Sequence, residues 1–262
     1  MERATTRREA KDLAAESERA AELLTKQHLQ EFHHEKPPEP PVTHRRWQNM
    51  WMIDEDEQER LRLEYEQAVA RWTRLKAHDQ AEVINTLDAA FADNASHSAC
   101  IDANRTRRGP YVTLVVHFPG LEIAQGVVLK SQAETRPRNQ TEMTDLYRQA
   151  LASTVIATAK EAFSSAPAAI EAHVIVLRYD IRGRFKKRRS ELDAIYSGSF
   201  TRSMLQHDWQ NTQPINAVLG ASNARVNQDS KGRLKPLGLD AGEDVQRLVE
   251  QLRAVSQAGQ IG

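Results

Sequence analysis

The chain has 262 residues, and its 36 lysines and arginines balance 36 aspartates and glutamates. That balance excludes a protein that works simply as a polycation or polyanion, while leaving room for a local charged patch. A single cysteine, Cys100, excludes an intramolecular disulfide and every multi-cysteine zinc module.

Residues 1 to about 35 lack Gly and Pro and place Leu13, Ser17, Ala20 or Ala21, and Leu24 at helical spacing, which predicts a helix with a narrow, mostly alanine stripe. Such a stripe buries little and needs a partner surface. Lys36-Pro37-Pro38-Glu39-Pro40-Pro41 then predicts an extended connector, since proline lacks the amide donor and clashes with the preceding turn. Trp47 and Trp51, beside Met50 and Met52, fit either a hydrophobic staple at the next helix or anchors for a partner.

Asp54-Glu55-Asp56-Glu57 predicts the acidic start of a second helix. Leu61, Tyr65, Ala68, Trp72 and Leu75 follow at alternating steps of four and three, the spacing of a two-helix seam, and the apolar stripe resumes at Val83, Leu87, Ala90 and Phe91. Pairing of the first two helices with each other or with another chain is therefore expected, with Leu61, Tyr65, Trp72 and Leu75 as partner-binding residues.

Beyond Asp93-Asn94 the pattern becomes mixed. Tyr111–Val116, Val127–Leu129, Ile170–Tyr179 and Leu192–Phe200 predict strands, the last two as an antiparallel pair, and Ala224–Asn227 a further short strand. Residues 131–140 are polar and contain Pro137, which predicts a loop. Thr141 is the expected N-cap of a helix carrying Met143, Leu146, Tyr147, Ala150, Leu151, Val155, Ala159, Ala162 and Phe163. Short helices are expected at 201–206 and 214–219, and a closing one at 242–256.

The expected fold class is α+β: a small, mostly antiparallel sheet packed on a central amphipathic helix, behind a helical, coiled-coil-like N-terminal arm. The expected divisions are a helical segment at 1–36, a Pro-rich linker at 37–53, a long amphipathic helix at 54–94, the α+β domain at 95–240 and a C-terminal helix and tail at 241–262.

Thr141–Tyr147, Ile156–Phe163, Ala166-Pro167 and Val174–Arg178 together resemble a recurrent block in uncharacterised proteins of high-GC Gram-positive bacteria. In those proteins the block lies between segments similar to Leu87–Asn94 and Phe200–Leu205, and Gln27–Phe32 resembles, more loosely because His33-His34 intervene, a junction before prolines. The resemblance implies a shared fold and a bacterial cytoplasmic setting. It also implies a member without the small β-rich N-terminal domain that such proteins commonly carry. It implies no activity and no catalytic residues.

No phosphate-cradling glycine loop and no Gly-x-Ser-x-Gly elbow occurs, and Ser197-Gly198-Ser199 falls inside a predicted strand. His28, Glu31, His33 and His34 have the wrong offsets for a zinc-protease helix, and His173 reads as a half-buried, partnered histidine. Asp180, Glu191 and Asp193 come nearest to the carboxylates of a metal-dependent nuclease, but Lys186 and Lys187 are poorly placed to complete it.

The strongest local signal is Arg178-Tyr179-Asp180-Ile181-Arg182-Gly183-Arg184-Phe185-Lys186-Lys187-Arg188-Arg189, one acid among many bases with aromatics interleaved. Arg178, Arg182, Arg184, Lys186, Lys187, Arg188 and Arg189 are candidate nucleic-acid contacts. Arg105, Arg107, Arg108, Lys130, Arg136 and Arg138 would extend that surface if they shared its edge. The expectation is thus a non-catalytic interaction or scaffold domain with no cofactor or metal, soluble, cytoplasmic and without membrane contact. It would self-associate or dock a protein partner through its N-terminal helices. DNA or RNA binding through the basic loop is the first alternative, and a divergent nuclease the second.

Overall fold

The structure, a computed structural model, describes residues 2–40, 55–92, 97–131, 134–182 and 189–237. Among them are five α-helices and a mixed, mostly antiparallel six-stranded sheet. Trp47, Trp51, the candidate bases Arg184, Lys186, Lys187 and Arg188, and the expected helix at 242–256 lie outside the described residues.

The sheet runs β1-β2-β5-β6-β7-β8, from β1 (His97–Thr106), β2 (Gly109–Phe118), β5 (Glu171–Arg182), β6 (Arg189–Thr201), β7 (Ser222–Gln228) and β8 (Leu234–Lys235). Its neighbours are antiparallel except β2 and β5, which run parallel in the register Tyr111↔Glu171 to Phe118↔Arg178. A parallel pair needs a long crossover. Here the crossover holds a separate two-stranded ribbon, β3 (Val127–Ser131) with β4 (Glu134–Pro137), and then the longest described helix, α4 (Gln140–Ser165).

Two strands depart from the sequence expectation. β4 occupies residues read as a loop, and Pro137 is tolerated there because it ends the strand opposite Val127 in an isolated pair. β1 was not foreseen because its small and polar residues lack a β-branched run. It is the edge strand, irregular between Cys100 and Asp102, and the Cys100 amide donates to Asp88 Oδ1 at 3.2 Å. Both features blunt an edge that would otherwise template pairing with another chain.

α4 begins two residues earlier than expected. Asn139, rather than Thr141, is the N-cap and forms a reciprocal capping box with Glu142. Arg136 clamps the same carboxylate with two 2.7 Å bonds, and this grip and the Asn139 amide hold its pKa down at about 2. The helix is not amphipathic in its setting: from Ala150 to Ala159 every residue is buried. One side meets Val112, Leu114, Val116, Val174, Val176 and Phe200 of the sheet in the main core. The other presents Ser153, Thr154, Ala157, Lys160 and Ser164, and the N-terminal arm covers it.

That arm comprises α1 (Glu2–Thr25), a 3₁₀ turn at Gln27–Leu29 and an irregular stretch to residue 40. The helix expected to reach about residue 35 therefore stops ten residues sooner. The chain leaves helical geometry because its backbone is claimed by α4: the His28 amide donates to Ser153 Oγ at 3.0 Å and the Glu35 amide to the Ser164 carbonyl at 3.0 Å. Lys160 Nζ bonds the carbonyls of His28 and Gln30, each at 2.9 Å. α1 faces inward with Ala10, Ala14, Ser17, Ala21 and Leu24, whereas Leu13 is 49% exposed. Small residues win that face because α1 passes close to the ribbon: Ser17 Oγ accepts the Val127 amide at 3.0 Å, and Arg138 bonds the Ser17 carbonyl at 3.1 Å. The first helix was expected to pair with the second or with another chain; it packs instead on α4, β3 and β4.

α2 (Glu55–Lys76) and α3 (Gln80–Phe91) meet at a tight corner whose His78 has φ 56°. Arg71 and Arg74 both grip Glu82 at 2.8 Å. Burial raises the Glu82 pKa, but the two guanidiniums outweigh it and leave the group lowered. Leu75, Val83, Leu87 and Phe91 enter the main core, which is continuous across residue 95.

Candidate functional site

The strand register makes the β5–β6 hairpin longer than the sheet that supports it. β2 accompanies β5 only as far as Arg178, and β7 joins β6 no nearer the tip than Tyr196. Tyr179↔Leu192, Asp180↔Glu191, Ile181↔Ser190 and Arg182↔Arg189 therefore pair only with one another among the described residues. Four residues at about 3.3 Å each give a two-stranded extension about 13 Å long, and its first pair still packs on the body, Leu192 being buried beside Leu177, Ala194 and Leu237. Arg182 and Arg189 form its last described pair, and the sequence between them holds Arg184, Lys186, Lys187 and Arg188.

Arg178 does not belong with them. It stands at the base of the ribbon, opposite Asp193 in register, and its Nη1 donates to the Leu234 carbonyl at 3.2 Å. It is thus part of the attachment of β8. The other bases expected to extend the surface are elsewhere or engaged. Arg107 and Arg108 turn between β1 and β2, level with the start of β5, so about 36 Å of strand separates that turn from Arg182. Arg105 bonds the Ala77 carbonyl at 2.7 Å, Lys130 pairs with Glu134 at 3.2 Å, Arg136 clamps Glu142, and Arg138 ties α1 to the ribbon.

Of the three acids weighed for a nuclease, Asp180 and Glu191 are backbone partners in the register of the projection, while Asp193 is buried at its base. Among the described residues no group of three or more His, Cys, Asp or Glu side chains is placed to hold a metal ion.

The helical seam divides at its middle. Trp72 and Leu75 reach the main core, whereas Leu61 and Tyr65 are half-buried outside it. Leu63 and Val69, off the expected stripe, are exposed. The outer side of the same helix carries Arg60 and Arg62 paired with Glu57, Glu64, Glu59 and Glu66.

A second polar group was missed by reading motifs along the chain, because four strands assemble it. On the sheet face away from α4, Asp102, Thr113, His173 and Ser199 lie in one register row. His173 Nδ1 is 2.6 Å from Ser199 Oγ, its ring meets Tyr111 edge-on at 5.2 Å, and the Tyr111 hydroxyl donates to Asp102 Oδ2 at 2.7 Å. Burial lowers the His173 pKa, against the pull of Glu171 and Asp102. Ser199 is only 5% exposed, so this pair does not present a nucleophile to solvent. The alternation of strand side chains, applied to His173 and Ser199 together, was the signal that could have found it.

Cys100 is buried and burial pushes its thiol up to about 12, which leaves it inert as a nucleophile at neutral pH. Among the described residues no helix is long and apolar enough to cross a membrane. No protein-family model, curated protein or solved structure matches the chain.

Proposed function

We propose that this chain is a non-catalytic, cytoplasmic binding domain that holds the phosphate backbone of a nucleic acid with the projecting end of its β5–β6 hairpin. One observation carries the reading: the register leaves four residue pairs of the hairpin beyond the rest of the sheet, and the sequence sets its bases at and past the last of them. A two-stranded ribbon fits the major groove of duplex DNA, and clustered Lys and Arg gain affinity by releasing condensed counterions. The chain is neutral overall, so the six bases from Arg182 to Arg189 stand against a remainder with a net charge of −6, which confines the attraction for phosphate to that segment.

The test is fluorescence anisotropy with labelled duplex DNA and RNA. Binding is expected to weaken by at least tenfold between 50 mM and 200 mM salt, and Lys186→Glu with Arg188→Glu is expected to abolish it. Affinity indifferent to salt, or preserved in the double reversal, overturns the reading.

Docking of a protein partner through the second helix is the other reading, and the half-buried Leu61 and Tyr65 outside the core favour it. Light scattering on the intact chain at tens of micromolar tests it for a second copy. A dimer that Tyr65→Asp dissolves supports self-association, and a monomer removes it.

A further inference from the structure

The face of α4 beneath the arm is built from hydroxyl and small side chains, and one imidazole closes it. His28 is 6% exposed. Its amide and its ring Nδ1 both lie 3.0 Å from Ser153 Oγ, and its ring meets the Trp209 indole edge-on at 5.9 Å. Gln27, next to it, accepts the Thr154 hydroxyl at 2.8 Å. Three elements therefore converge on His28: the arm, the middle of α4 and the segment following β6.

We propose that docking of the N-terminal arm on α4 is switched by the protonation of His28: the neutral ring seats residues 7–36, and the charged ring lets them go. Seating places the ring in a site that already carries a fixed cation. Lys160 of α4 is bound to the carbonyls of His28 and Gln30 and repels a second positive charge. The remaining charged groups nearby leave that balance in place. Glu31 on the arm acts on Lys160, and Lys26 is paired with Glu22 at 2.9 Å. Asp208 beside Trp209 accepts from the Gln210 amide and Asn211, and His207 stands edge-on to the far side of the Trp209 contact at 5.4 Å.

The direction follows from burial first. Desolvation lowers the His28 pKa, the Thr25 and Trp209 carbonyls favour the charged ring, Lys160 opposes it, and the net effect is a lowering. The released arm then binds the proton more readily than the docked arm. Docking is complete above the ordinary histidine value of about 6.5 and weakens as pH falls below it, by up to tenfold per pH unit for one proton until the docked ring itself titrates. α1 has a mostly alanine inner stripe and gains little helix stability by itself, so release frees the arm as a unit.

Hydrogen exchange on the intact chain between pH 8 and pH 5, corrected for intrinsic rates, reads this directly. The protection of arm amides relative to those of Val174–Leu177 is expected to fall by up to tenfold per pH unit below about 6.5. In His28→Gln that ratio is expected to stay constant. In Ser153→Ala the arm is expected to be less protected at pH 8, with the sheet unchanged. Should His28→Gln fail to fold, NMR titration of the His28 ring in the natural chain decides: a midpoint at or above 6.5 overturns the proposal and a lower one supports it. Arm and sheet losing protection together, or the slope persisting in His28→Gln, also overturns it.

Discussion

Arg202 shows how much one side chain holds at this fold's corner. Its Nε donates to the Ala169 carbonyl at 2.9 Å, and its Nη2 to the carbonyls of Ala166 and Pro167 at 2.9 and 3.0 Å, while its guanidinium lies 4.9 Å from the Phe163 ring centroid. These carbonyls belong to the turn from α4 into β5, so a residue just past β6 fixes where the central helix enters the sheet. Lysine keeps the charge but lacks the planar fork that serves three acceptors. Arg202→Lys is expected to cost about 1.5–3 kcal/mol, the range for hydrogen bonds to a charged group, measured as a lowered urea midpoint with an unchanged slope. Sequence reading reached this residue only as part of a resembling segment, because nothing in Thr201-Arg202-Ser203 announces carbonyls that lie more than thirty residues away. His173 was the opposite case: a lone histidine opening an apolar strand is expected to find a partner, and Ser199 is that partner.

Elements with a strong intrinsic period were legible, and those set by their surroundings were not. β2 and β5 carry continuous apolar or β-branched runs and α4 a wide apolar stripe at helical spacing, so their existence followed from pattern alone. The short α5 (Pro214–Leu219) was marked by a proline at its first turn. α1 was visible, but its orientation was not. Leucine 13 competes with Ala14 for the inner face on hydrophobicity, and alanine wins only because the β3–β4 ribbon lies so close. Gly126, at φ 151°, makes that approach: a β-carbon there would collide with Ser17 Oγ and lie 2.8 Å from Arg138 Nη1. Gly126→Ala is therefore expected to loosen α1 through both backbone strain and collision, by about 1–3 kcal/mol. Faster proteolysis at Arg7, Arg8, Lys11 and Arg19 at neutral pH, with the sheet's thermal transition nearly unchanged, is the readout. Equal loss from both would mean that α1 and the sheet unfold as one unit.

At the scale of the whole molecule, the same sign of proton linkage recurs at three histidines among the described residues. His28 joins the arm to α4, His78 joins the α2–α3 corner to the Tyr111 carbonyl at 2.9 Å, and His173 joins β5 to β6. Desolvation is the largest influence on each and lowers all three. The folded state thus favours neutral rings, and unfolding takes up protons once pH drops below about 6.5. A second set acts lower down. Glu142 is held at about 2 by Arg136 and the Asn139 amide, while Glu82 and Asp229 are also lowered. Their contribution is present above the ordinary carboxylate range and fades as pH falls through it. The two sets add rather than oppose, so Tm is expected to be flat from about pH 7 to pH 8, decline on the acid side from about pH 6.5, and decline again below about pH 4.5. Replacing His28, His78 and His173 together by glutamine is expected to remove the first decline and keep the second. A Tm that stays level from pH 7 to pH 5 in the natural chain would mean that these rings take up protons as readily inside the fold as outside it, against the burial that surrounds them.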